Sequence, residues 1–176
     1  MELRLRLHHW EGREPDLMAA AVAGFAAGAV LMVLELVWSA TMRSDALWRV
    51  PQLVAALSME PSSVLHGPAH VFDVGVVAAA LVTHYLLGIG FGLILGAVIA
   101  GYHYDDGSAA VSLPVIGAIF GAALYVINFY ALTEAFHWFA EARGWGTFIC
   151  HLIFGVTAAE LYGKLAKYRQ QRDSVA

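Results

Sequence analysis

The sequence predicts an all-α membrane protein with four transmembrane helices, and its composition, the length of its uncharged runs and the placement of lysine and arginine carry that prediction. Of 176 residues, 60% are hydrophobic, only 14% are charged, and 17 are glycine. A soluble domain carries about 25% charged and about 45–50% apolar residues. Most of this chain is therefore suited to hydrocarbon, and its raised glycine content is that of helices packing in lipid.

From Leu17 to Met42 the only formal charge is Glu35, and from Val74 to Tyr104 there is none. Ser108 to Thr133 is also uncharged, with Pro114 placed for a first helical turn and Asn128 as its only amide. A fourth run, Trp145 to about Ala166, is interrupted by Glu160 near its end. Each run is long enough for the about 20 residues that cross a bilayer. The expected spans are 17–42, 72–101, 110–133 and 145–166. The first is too long for a signal-peptide core and contains Glu35, so it is read as a retained helix.

An even number of spans puts both termini on one side. That side holds Arg4, Arg6, Arg13, Lys164, Lys167, Arg169 and Arg172, against Arg43, Arg49 and Arg143 on the other. The positive-inside rule assigns the termini and the Asp105-Asp106-Gly107 turn to the cytoplasm. The chain then divides into a cytoplasmic segment, 1–16, a transmembrane domain, 17–166, and a cytoplasmic tail, 167–176. Trp38, Trp48, Trp138 and Trp145 fall at the outer interface as an aromatic belt. In the first outer loop, Arg43 to about His70, the stretch Pro51–Met59 reads as a short helix closed by Glu60-Pro61. It is too short to span and is expected to lie at the interface or dip inward.

The chain also reads as a tandem duplication. His84, Gly88 and Gly96 of the second span recur as His151, Gly155 and Gly163 of the fourth. Gly24, Gly28 and Glu35 of the first recur as Gly117, Gly121 and Asn128 of the third. Gly24 with Gly28, Gly88 with Gly92 and Gly96, and Gly117 with Gly121 form small-residue ridges at four-residue spacing, the pattern that lets helix backbones approach closely in lipid.

At about 100° per residue, Glu35 lies within about 20° of Gly24 and Gly28, and Asn128 relates to Gly117 and Gly121 identically. Both therefore share packed faces, as a polar group in hydrocarbon must. His84 shares a face with Gly88, and His151 with Gly155. All four polar residues fall in the outer half of the bilayer and are expected to form one cluster.

Three readings of that cluster are open. The leading one is structural: interhelical hydrogen bonds, each worth about 0.6 kcal/mol, in a non-enzymatic accessory protein. The second is a proton-linked small-solute or ion transporter using Glu35 beside imidazoles that titrate near neutrality. Four helices enclose too little for a path, so this reading requires a homo-oligomer or another membrane-protein partner joined through the glycine faces. The third is a b-type haem held between His84 and His151.

At the outer rim, His66, His70, Asp73, Glu134 and His137 are reasonable metal-ligand types, but Gly67-Pro68 breaks the helical register between the first two. A wet polar rim is the expectation, with no metal and no cofactor. His8, His9 and His103 read as solvated, and Glu160 with Lys164 as an i,i+4 ion pair. There is no GxSxG, HExxH, P-loop or CxxC motif, and Glu134 with His137 is only half of a di-iron carboxylate pattern, so no enzyme is predicted. The lone cysteine, Cys150, excludes an intrachain disulfide, and the small net charge of −4 leaves no polybasic footprint for nucleic acid.

With its glycine ridges on the odd spans, and THYLLG (Thr83–Gly88) and CHLIFG (Cys150–Gly155) on the even ones, the chain resembles a class of small four-helix bacterial inner-membrane proteins of unknown function. The resemblance covers residues 17–166. It implies the architecture and an inner-membrane location, and carries over no catalytic residue.

Overall fold

The computed structural model describes residues 14–42, 46–101 and 109–174. The Asp105-Asp106-Gly107 turn, His8, His9, His103 and the arginines at 4, 6, 13 and 43 lie outside them. All regular structure among the described residues is helical. Four helices are long and apolar enough to cross a membrane: α1 (Leu17–Met42), α4 (Val74–Gly101), α5 (Ala109–Val126) with its continuation to Glu134, and α6 (Trp145–Asp173). Two short helices, α2 (Arg49–Ala55) and α3 (Pro61–Leu65), lie between α1 and α4. The chain is a multi-pass membrane protein.

Several boundaries differ from expectation for local reasons. The second span begins at Val74 because the Asp73 carboxylate accepts from the Val76 amide at 2.9 Å and caps the helix. Glu60-Pro61 does not close the short loop helix; Pro61 opens α3, at the position where its missing N–H costs nothing. α5 widens into a π turn at Ile127–Ala131 and ends in a 3-10 turn at Leu132–Glu134. α6 continues to Asp173 rather than stopping near Ala166, since no glycine or proline follows Gly163 to break it. Asp16, which caps α1 through the Ala19 amide, also pairs with Arg169 at 2.7 Å, so the first turn of α1 and the polar extension of α6 meet at one end of the bundle.

The helices pack in an arc, α4 against α1, α1 against α6 and α6 against α5, while α4 and α5 scarcely meet. Small residues make this possible. Ala19, Ala20, Ala23 and Ala27 of α1 are sealed in the seam. A Cβ on Gly24 would collide with the Gly88 carbonyl, and one on Gly155 with the Gly117 carbonyl and the Gly121 nitrogen. Gly121 likewise meets the main chain at His151, and Gly92 that at Ala20. Gly96 abuts the Ala20 side chain and the Tyr162 ring. The glycine ridges thus join helices of one chain, and the faces expected to hold a second copy are spent internally. Corresponding residues of the two hairpins make corresponding contacts, Gly24 with Gly88 and Gly117 with Gly155. The contacts between hairpins are not matched, because α1 and α6 pack closely and α4 and α5 do not.

Replacing Gly155 by leucine is expected to prevent folding, because the obstacle is backbone and cannot yield. Gly90→Ala, where an added Cβ meets nothing within 4 Å, should change stability by no more than about 1 kcal/mol. Thermal unfolding in mild detergent distinguishes the two.

Candidate functional site

The gap inside the arc is a chamber of about 390 Å³, and Glu35, His84, Asn128 and His151 all line it. The expected polar cluster is therefore brought together, but around open space and not as a knot of mutual hydrogen bonds.

Each imidazole is held by a main-chain carbonyl. Nε2 of half-buried His84 donates to Gly28 O at 2.8 Å, across the α1–α4 contact. Nδ1 of buried His151 donates to Thr147 O, one turn back on its own helix, also at 2.8 Å. Since a carbonyl can only accept, these bonds assign the tautomer of each ring in its neutral form, with the lone pair on Nδ1 of His84 and on Nε2 of His151. The His151 ring stands edge-on to Phe129 at 5.3 Å, which sets its plane. Among the described residues Glu35 and Asn128 have no hydrogen-bond or ion-pair partner. Among the described residues no side-chain nitrogen or oxygen is both sealed and unpartnered, so the polar atoms of these two chamber-lining residues stay accessible.

Asn128 and Phe129 sit in the π turn of α5. Widening the helix releases a carbonyl from the regular ladder, and the Phe129 carbonyl accepts from Arg143 Nε at 2.5 Å. Arg143 also donates to Thr133 Oγ1 at 2.9 Å and lies over the Tyr130 ring, and the Tyr125 hydroxyl accepts from the Gly144 amide at 3.1 Å. Read from sequence, Arg143 is only a loop charge counted for orientation. Its structural role is to brace the turn that presents Asn128, and nothing in the residue pattern announces it.

One end of the chamber is roofed. α2 packs on α4 and faces the 3-10 turn at His137–Ala142, with Leu53 only 1% and Ala55 0% exposed. The short loop helix is thus a lid seated in the bundle. Trp138 Nε1 donates to Leu53 O at 3.1 Å, and Arg49 grips the Glu141 carboxylate through two bonds of 2.8 Å while donating to Leu65 O at 2.7 Å. Trp138, expected in the interfacial belt, is instead 8% exposed and packs under this roof, while Trp145, at 78%, faces outward.

The rim residues go elsewhere. His66 donates to Ser62 O at 2.7 Å, Asp73 caps α4, and His137 rests on the Trp138 ring. Glu134 and His70 are exposed. Among the described residues, no three His, Cys, Asp or Glu side chains are grouped to hold a metal ion. Glu160 and Lys164 form the expected pair at 3.3 Å.

Comparison of the chain with protein-family models, curated proteins and solved structures gives no match.

Arg49→Met removes the grip on Glu141. Because Glu141 is 47% exposed, the expected loss is only about 1 kcal/mol. Its signature is local: faster amide hydrogen exchange across Val54–Met59, with the centres of α1 and α4 unaffected.

Proposed function

We propose that this chain is a small-molecule-binding protein of the bacterial inner membrane, with the chamber as its site and Glu35 as the polar anchor that links occupancy to a proton. The observation that carries this reading is the unpartnered state of Glu35 and Asn128 at the wall of an intramembrane chamber. A carboxyl group in hydrocarbon is costly unless it is protonated, paired or wet. A residue kept there for stability would have acquired a partner; one kept for a ligand is left open. A largely apolar cavity of about this size with a few converging polar groups is the usual form of a small-molecule site. His84 from α4, Asn128 from the π turn and His151 from α6 line the same chamber, and the Cys150 thiol of α6 lies near Glu35, a set of groups able to hold a proton when a solute binds. The bias of lysine and arginine supports cytoplasmic termini, with the lid on the opposite side. The matched glycine contacts of the two hairpins support an origin by duplication, with the pairing of Glu35 and Asn128 marking where the copies diverged.

A structural role is the second reading, favoured by the bond from His84 to Gly28 O. The haem reading has less support, because that bond occupies Nε2 of His84 and leaves only Nδ1, the nitrogen beside the side-chain stem, for an axial bond.

The two main readings predict opposite signs for Glu35→Leu. A binding role predicts a gain of about 1–3 kcal/mol, because an unpaired polar group is removed from apolar surroundings and no bond is lost. Interior glue predicts a loss. A Glu35→Leu protein that unfolds at lower temperature than wild type would sink the proposal.

A further inference from the structure

Resting on that binding reading, we propose that the solute is a membrane-dissolved amphiphile, an apolar body with a hydrogen-bond-donating head, and that it enters sideways from the bilayer between α4 and α5.

The route follows from the arc. Three of the four possible neighbouring contacts around the chamber are closed by tight packing, and the fourth, α4 with α5, is not. Leu87 of α4 and Leu132, just beyond the π turn, both line the chamber, and each is 41% exposed. They are therefore the two sides of a mouth. Its surroundings, Leu86 and Ile127, are exposed and apolar, suited to lipid and unsuited to a hydrated solute. The end toward water is closed: Leu53 is sealed against Phe129 and Trp138, and Arg49 and Glu141 bolt the roof. With the lid end closed, the gap between α4 and α5 is the side of the chamber that faces hydrocarbon.

The head chemistry follows from the inventory of donors and acceptors. In their neutral form Nδ1 of His84 and Nε2 of His151 offer lone pairs, the Glu35 carboxyl and the Asn128 carbonyl accept, and the Asn128 amide supplies a donor. Such a set, rich in acceptors, favours a hydroxyl or ammonium group over a carboxylate, which would meet Glu35 with no cation among the described lining residues to offset it.

The test uses the full chain in phosphatidylcholine nanodiscs with a decanol bearing a photoreactive diazirine. The expected adducts map to chamber residues such as Phe91, Leu124 and Phe129. Competition should be strong with decylamine and weak with decanoate. Leu87→Trp fills the mouth with an indole. Labelling should fall by about tenfold, the change expected when a gap is overfilled, while Val82→Trp on the lipid-facing side of the same helix leaves it unchanged. Leu132→Trp provides an independent block should the first variant not fold. Adducts confined to outward residues, or undiminished labelling in both mouth variants, overturn the proposal. If the chamber is labelled only by a water-soluble diazirine amine, lateral entry fails while the chamber remains a solute site. If neither probe labels it, both readings fail.

Discussion

Everything in this structure depends on two helix pairs brought to backbone contact. In hydrocarbon the usual drive to bury apolar side chains is missing, so helices adhere through close packing and through polar groups with nowhere else to bond. Gly24 against Gly88 and Gly117 against Gly155 supply the closest packing available, main chain on main chain. Such a contact specifies rotation as well as distance. Once Gly28 lies against α4, His84 is within reach of its carbonyl, and once Gly121 lies against α6, the His151 main chain is pinned beside it. The placement of the imidazoles follows from the glycines.

The architecture was largely legible because hydrocarbon imposes a strict code. Length, charge and small-residue spacing together predict four spans, the packed faces and the convergence of Glu35, His84, Asn128 and His151. The site's form was less legible. Helical periodicity assigns a residue to a face but says nothing about how far apart two facing helices stand. The chamber therefore had no signature in the sequence, and a cluster of hydrogen-bonded groups was the natural expectation. The glycine ridges were correctly seen as contact surfaces, yet ridge spacing alone does not distinguish a partner within the chain from a second copy.

Trp138 was assigned to the interface because an indole favours that zone. It is instead drawn inward with Leu53 of the short loop helix, whose expected place was the interface or a dip inward from it. The π turn belongs to the same account. An expanded turn costs regular hydrogen bonds, and Arg143 offsets that cost from outside the helix, from a loop whose spacing to Phe129 carries no recognisable motif.

The arc has a mechanical corollary. Each hairpin, α1 with α4 and α5 with α6, is locked by main-chain contact into a plate. The plates share one seam, between α1 and α6, which the bond from Arg169 to Asp16 also joins at its far end. On the opposite edge, the grip of Arg49 on Glu141 and the bond from Trp138 to Leu53 cross from one plate to the other. The molecule is thus a hinged case with a spine and a clasp. Its internal width cannot change by bending either plate, so any widening must appear as rotation about the spine and strain at the clasp.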